Sequence, residues 1–96
     1  MTGIEQARQE IREADAIIAE LFQRRMKAVR DVAEYKKNKG LPVFDEEQEK
    51  RVLARNVTLI SDESLRPYYL KFMQETMDIS KEYQEDLIAG KQAGCE

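Results

Sequence analysis

The chain has 96 residues, of which 36% are charged, with two prolines, four glycines, no histidine and no tryptophan. This length suits one small domain, which we expect to span residues 1–96. The net charge of −3 is too mild for a protein that binds nucleic acid by electrostatic attraction. Without histidine the chain cannot build a Ser-His-Asp triad or a histidine-bound metal site, so we expect no metal and no cofactor.

Cys95 is the single cysteine, so no disulfide can form within the chain. No apolar run approaches the length of a membrane-spanning helix, and the first ten residues lack the pattern of a signal peptide. A reducing compartment fits these features. We therefore expect a cytoplasmic protein that does not bind membranes.

The first helix is predicted from Ile4 to about Asn38, a stretch without proline or glycine. At about 1.5 Å per residue it would be about 50 Å long, whereas a compact monomer of this size is about 30–35 Å across. An apolar stripe follows nearly its whole length, comprising Ile4, Ala7, Ile11, Ala14, Ile18, Leu21, Phe22, Val29 and Val32. Because protruding apolar surface needs a partner, we expect a homodimer with two-fold symmetry.

Glycine and proline separate the first helix from the second. Gly40 suits a helix C-cap, and Pro42 prevents the first helix from continuing. The second helix is predicted over residues 46–60. Asp45 is its expected N-cap, and Gln48 follows three residues later in a capping-box pattern.

The third helix is predicted to follow a loop at residues 61–64. Ser64 is the expected N-cap, and Pro67 is tolerated in the first turn. This helix continues to about Ala89, and we expect the tail at residues 90–96 to be disordered. The sequence thus predicts an all-α fold of three helices, long, short and long, with short connections.

Polar side chains interrupt the apolar face of the first helix at regular spacing. Alternating steps of three and four residues pass through Arg8, Ile11, Asp15, Ile18, Phe22, Arg25, Val29, Val32 and Lys36. Arg24 falls off this row and is expected to be solvated. Each cation alone can be a side chain that snorkels to water or sets the helix register. Three cations with few interior acids leave charge uncompensated, which favours an anionic ligand such as a small dicarboxylate.

The other two helices also carry polar residues on faces that we expect to be buried. In the third helix, Ser80 lies on the row Tyr69, Met73, Thr76, Ser80, Tyr83 and Leu87. Gln84 follows Ser80 by four residues and shares its face. Near the start of the second helix, Glu49 lies where the helix dipole favours an anion. Two simpler interpretations stay open, in which Ser80 bonds to its own helix and Glu49 only complements the dipole.

These residues resemble the all-helical chorismate mutases, the AroQ class. The resemblance rests on "ARQEIREADAIIAELFQRRMKAVRDVAEYKKNKGLPVFDEEQEKRVL" and "MDISKEYQ", and it covers about residues 4–88. The spacing is specific, since Arg25 follows Arg8 by 17 residues and Lys36 follows Arg25 by 11. The loop "GLPVFD" after the long helix is also similar to the loop of that family.

The resemblance implies an intertwined homodimer with two active sites, each built from both chains. The enzyme would rearrange chorismate to prephenate, an early step toward Phe and Tyr. Arg8 would reach one substrate carboxylate from the partner chain, and Arg25 would hold the other carboxylate. Lys36 and Gln84 would be the catalytic donors to the ether oxygen. This reaction is unimolecular, which suits a chain that offers no convincing nucleophile or general base.

The resemblance also implies further substrate-binding residues. Asp45 and Glu49 would lie near the ring hydroxyl, and Ser80 would lie beside a carboxylate. Gln48 stands where the family commonly has arginine, so weaker substrate binding is expected. Arg51, one turn later, could reach the site in its place.

Two alternatives to the mutase stay open. Isochorismate–pyruvate lyases look similar and act on a related dianion with related cations. The chain could also be a helical dimerisation module or a regulatory remnant with weak or no activity, an interpretation that Gln48 favours.

Overall fold

The computed structural model describes residues 2–90 of the chain. It contains three α-helices, α1 (Gly3–Lys39), α2 (Glu46–Asn56) and α3 (Arg66–Ile88). Two short 3-10 helices, Val57–Leu59 and Glu63–Leu65, connect α2 to α3. The predicted all-α fold with a long, a short and a long helix is confirmed. Apart from Gly90, the tail at residues 90–96, including Cys95, lies outside the described residues.

Both ends of α1 are capped by local hydrogen bonds. The Thr2 hydroxyl accepts from the backbone N–H of Glu5 at 3.2 Å, and the Glu5 carboxylate accepts from the Thr2 N–H at 3.4 Å. At the other end Gly40 has a φ of 68°, a left-handed conformation that glycine adopts at little cost. The prediction that Gly40 ends the first helix is therefore confirmed.

The second helix is shorter than the predicted range of residues 46–60. Asp45 is its N-cap, as expected, because the Asp45 carboxylate accepts from the backbone N–H of Gln48 at 3.1 Å. The return bond of a capping box is not formed, since the side-chain oxygen of Gln48 accepts from Arg51. The α-helix ends at Asn56, and the chain continues as a 3-10 turn. Thr58 donates its hydroxyl to the carbonyl of Arg55 at 2.7 Å, a local bond of the kind that competes with α-helix.

The predicted N-cap of the third helix, Ser64, is wrong. Asp62 takes the capping role, and it caps the 3-10 turn that precedes α3. Its carboxylate accepts from the N–H of Ser64 at 3.0 Å and from the Ser64 hydroxyl at 2.6 Å. A carboxylate is a stronger acceptor than a hydroxyl, so Ser64 donates to Asp62 and does not itself act as the cap. Pro67 lies in the first turn of α3, as expected.

The core lies where the C-terminal part of α1 packs against α3. Its buried apolar side chains are Val29, Ala33, Met73 and Met77. Ala33 is only 2% exposed, whereas Val32, which was predicted to lie on the buried row, is 44% exposed. The buried row of α1 therefore steps by four and then three residues, from Val29 to Ala33 to the partly buried Lys36.

The molecule is long and thin, with extents of 54 × 36 × 15 Å. Its radius of gyration is 16.6 Å, whereas a compact domain of this length has a radius of about 12–13 Å. The excess comes from the N-terminal part of α1, where residues 10–24 are all exposed. We call residues 3–24 the free segment of α1 and residues 25–39 the packed segment. Among residues 2–90, the helices include no apolar stretch long enough to span a membrane.

Candidate active site

A cavity of about 150 Å³ lies where the packed segment of α1 meets α2, α3 and the loop before α2. Val29, Val32, Val43 and Met77 form its apolar wall. Seven of the eight predicted site residues also line it, and these are Arg25, Lys36, Asp45, Gln48, Glu49, Ser80 and Gln84. The fold thus gathers side chains that lie up to 59 residues apart, from Arg25 to Gln84.

Arg25 is the first residue of the packed segment, and its side chain lines the cavity. Its guanidinium donates a hydrogen bond to the Ser80 hydroxyl, which itself donates to the carbonyl of Thr76 at 2.8 Å. Ser80 therefore bonds to its own helix and also orients an arginine. Burial lowers the pKa of Arg25, and a smaller interaction with Tyr69 raises it. Within residues 2–90 this guanidinium has no carboxylate partner, and its other N–H donors remain for a ligand.

Lys36 lies in the last turn of α1 and faces the cavity beside the following loop. Its ammonium donates to the carbonyl of Val43 at 2.7 Å, which ties the loop to the helix. An ammonium has three donors, so two remain after this contact. Lys36, like Arg25, pairs with no carboxylate in the described part of the chain.

Glu49 is held against α3 by two side chains. Its carboxylate lies 3.0 Å from the ammonium of Lys81 and accepts a longer hydrogen bond from the Gln74 amide at 3.4 Å. The hydrogen bond from Lys81 to Glu49 is the largest cause that raises the pKa of Lys81, while burial opposes it. Lys81 lines the cavity and was not predicted. A signal was available, because Met77, Lys81 and Gln84 follow one another at steps of four and three.

Gln48 lines the cavity, and Arg51 does not. Arg51 donates to the side-chain oxygen of Gln48 from Nε at 3.2 Å and from Nη2 at 3.0 Å. Because a guanidinium has only donors, this pairing fixes the amide oxygen toward Arg51 and leaves the amide NH2 for other contacts. The expectation that Arg51 itself reaches the site is therefore wrong, since it contacts Gln48 instead.

Gln84 is the most buried polar side chain of the cavity wall after Ser80, with 6% exposure. Its amide oxygen has no hydrogen-bond partner within the described residues. Leaving a buried polar atom unpaired costs about 1–3 kcal/mol of stability. Such a cost is common at sites that are shaped for a ligand rather than for the stability of the fold.

Arg8 is the one predicted site residue that lies away from the cavity. It is exposed in the free segment of α1, about 25 Å along the helix axis from Arg25. This separation is far greater than the length of an arginine side chain. Arg8 cannot serve the cavity of its own chain, so any role at such a site must be in a second copy.

The cavity wall carries three cations, Arg25, Lys36 and Lys81, and two carboxylates, Asp45 and Glu49. Two of the cations have no acidic partner in residues 2–90, so the wall favours an anion. Among the described residues, no group of three or more aspartates, glutamates or cysteines could hold a metal ion. The arrangement can hold an organic anion and donate hydrogen bonds to it.

The fold and the cavity define an all-helical protein with a cavity whose wall carries more cations than carboxylates. The sequence model of the family chorismate mutase type II matches residues 7–85, which is most of the chain. The chain therefore belongs to the chorismate mutase type II family, and the resemblance seen in the sequence is confirmed. Comparisons with curated proteins and with solved structures find no match.

Proposed function

We propose that this chain catalyses the Claisen rearrangement of chorismate to prephenate, in the biosynthesis of Phe and Tyr. Membership of the family supports this reaction. The observation that carries the proposal is the pair Arg25 and Lys36, two cations that face one cavity without acidic partners in residues 2–90. Chorismate carries two carboxylates and supplies the missing negative charge.

The first task of such a site is to hold the substrate in its compact, reactive conformer. Arg25 binds one carboxylate, because a guanidinium can donate two parallel hydrogen bonds to it. Ser80 keeps the guanidinium in place and lies beside the same carboxylate. A unimolecular rearrangement needs no nucleophile, so this orientation provides a large part of the catalysis.

The second task is to stabilise the charge that develops on the ether oxygen as the C–O bond breaks. Lys36 and Gln84 donate hydrogen bonds to this oxygen. Removing one such donor from a dry site typically costs about 3–4 kcal/mol of transition-state stabilisation. The buried amide oxygen of Gln84 supports the assignment, because it leaves the NH2 as the end of the carboxamide that can donate.

The remaining polar residues of the cavity bind the substrate. Asp45 and Glu49 lie near the ring hydroxyl, and Glu49 accepts its hydrogen bond. Gln48 donates through its NH2, which Arg51 leaves free by binding the amide oxygen. A neutral amide replaces the arginine that is common in the family, so we expect weaker binding of the dianion.

The active unit in this proposal is an intertwined homodimer in the cytoplasm. The free segment of α1 supports it, since Ile11, Ile18 and Phe22 are each about half exposed or more. A second copy that covers this surface brings its Arg8 to the cavity and supplies the cation for the second carboxylate.

The test is a direct assay of the protein with chorismate. The ultraviolet absorbance of chorismate should disappear while prephenate accumulates, and Arg25→Ala should abolish the loss. Salicylate and pyruvate from isochorismate would instead identify the lyase of the same fold. Gln48 favours one second candidate, a catalytically weak dimerisation or regulatory module. No loss of absorbance at high protein concentration would overturn the mutase proposal.

A further inference from the structure

Lys81 differs from the other two cations of the cavity wall because it has carboxylate partners. Its ammonium lies 3.0 Å from Glu49 and 3.4 Å from Asp78. It also lies over the ring of Phe44, 4.6 Å from the ring centroid. Glu49 and Phe44 belong to α2 and the loop before it, so Lys81 joins α3 to both elements.

These contacts leave Lys81 little capacity to bind a ligand directly. An ammonium has three N–H donors, and two of them are directed at Glu49 and Asp78. The aromatic ring of Phe44 lies on a further side of the ammonium, in the range of a cation–π contact. We therefore expect Lys81 to affect a ligand in the cavity through its carboxylate partners rather than by direct contact.

Glu49 is the partner of Lys81 that lines the cavity. Its side chain is only 17% exposed, so an unpaired charge there would be costly. The charged groups around it are Lys81 and Asp78 from α3, Asp45 from the start of α2, and Lys36 and Arg25 across the cavity on α1. Without Lys81 the wall would hold two cations and two carboxylates, which gives no net attraction for an anion.

We propose that Lys81 is a positioning residue of the active site, which holds Glu49 against α3 and neutralises its charge. Glu49 can then accept the hydrogen bond of the substrate's ring hydroxyl without repelling the two substrate carboxylates. This role rests on the proposed mutase function.

The experiment compares steady-state kinetics of three variants with the wild type. Lys81→Met should raise KM about tenfold and lower kcat less, since the cation of Lys81 is lost and Glu49 is no longer held in position. Lys81→Arg should restore most of the wild-type kcat/KM, because it keeps the cation. Lys50→Met is the matched control, because Lys50 pairs with Glu46 and Glu47 on the exposed side of α2, outside the cavity. Its kinetics should not change.

A double-mutant cycle tests whether Lys81 acts through Glu49. In the Glu49→Gln background, Lys81→Met should have a smaller effect on KM, since the cavity carboxylate that Lys81 neutralises is then absent and only Asp78, outside the cavity, still pairs with it. An undiminished effect in that background would mean that Lys81 acts on the substrate independently of Glu49 and would overturn the proposal. If Lys81→Met does not fold, Lys81→Gln replaces it, because its amide can still donate to Glu49 without charge.

The two proposals fail in different ways. Absence of turnover by the wild type overturns the mutase function and this role with it. Wild-type turnover that Lys81→Met leaves unchanged overturns only the role of Lys81. A measurement without turnover checks the ion pair itself, since Glu49→Gln should lower the pKa of Lys81 in an NMR titration. An unchanged pKa of Lys81 would show that the pair does not form in solution.

Discussion

The two segments of α1 have the same kind of sequence and opposite surroundings. In the packed segment, residues 25–39, Val29 and Ala33 are buried against α3. In the free segment, residues 3–24, Ile11 is 58% exposed and Phe22 is 49% exposed. The apolar stripe continues from the free segment into the packed segment. The comparison shows that a stripe identifies a face that needs burial, but the chain itself covers only part of that face.

This difference links the assembly of the protein to its proposed chemistry. Burying a large apolar side chain stabilises a protein by about 1.5–3 kcal/mol, and the free segment carries several of them. Arg8 lies in this same segment, while Arg25 and Lys36 lie in the packed one. If a second copy covers the free segment, each complete site combines Arg25 and Lys36 of one chain with Arg8 from the free segment of the other chain.

The largest expected effect tests whether the two segments meet in one site. Arg8→Ala and Lys36→Ala should each reduce kcat/KM by about a thousandfold as homodimers, because in the proposed site each removes a charged donor to the substrate. Mixing the two variants by unfolding and refolding together should restore activity. A heterodimer then has one site with both substitutions and one site with neither, and activity is measured by loss of chorismate absorbance.

Arg12→Ala provides the matched control for Arg8. Arg12 lies one turn later in the free segment, is exposed and binds only Gln9 in the described residues. Arg12→Ala should retain wild-type activity. Mixing it with Lys36→Ala should give only the average of the two separate activities, with no restoration. If mixing Arg8→Ala with Lys36→Ala restores nothing, Arg8 does not act across the two chains.

A smaller effect is expected from a change that acts on the free segment alone. Phe22→Glu should raise the dissociation constant of the proposed homodimer at least about a hundredfold, since it places a charge on the apolar surface that a second copy is proposed to cover. Sedimentation velocity over a range of protein concentrations measures this constant. Gln23→Glu adds the same charge at the next position, which does not belong to the apolar stripe, and should leave the dissociation constant unchanged. If Phe22→Glu leaves the dissociation constant unchanged, as Gln23→Glu should, then Phe22 stays in water and the stripe is not the interface.

Much of the fold could be predicted because local chemistry determines it. Gly40 and Asp45 act within a few residues of their position, and both predictions are confirmed. The wrong prediction at Ser64 concerned a choice between two neighbouring caps. Asp62 and Ser64 are both good caps, and their competition depends on the turn geometry that precedes α3.

The site was predictable where a residue violates the pattern of its own helix. Arg25 and Lys36 stand out as cations on an apolar row, and the cavity brings them together. Lys81 was missed because it follows Asp78 and looks like one half of an ordinary surface ion pair. Its contact with Glu49 joins two helices, and sequence spacing carries no information about such a contact.

The smallest expected effect concerns the pH dependence of kcat/KM and the proposed donor Gln84, which lies in α3. The amide of Gln84 donates at every pH, so the wild-type kcat/KM should be flat between about pH 6 and pH 8. A carboxyl group donates only while protonated, so Gln84→Glu should be most active in acid. Above the pKa of the introduced carboxyl, kcat/KM should fall by about tenfold per pH unit. Gln23→Glu introduces an exposed carboxyl away from the cavity and should keep the flat profile, while circular dichroism checks that each variant stays folded. A flat profile for Gln84→Glu would exclude Gln84 as the donor and leave Lys36 alone to stabilise the ether oxygen.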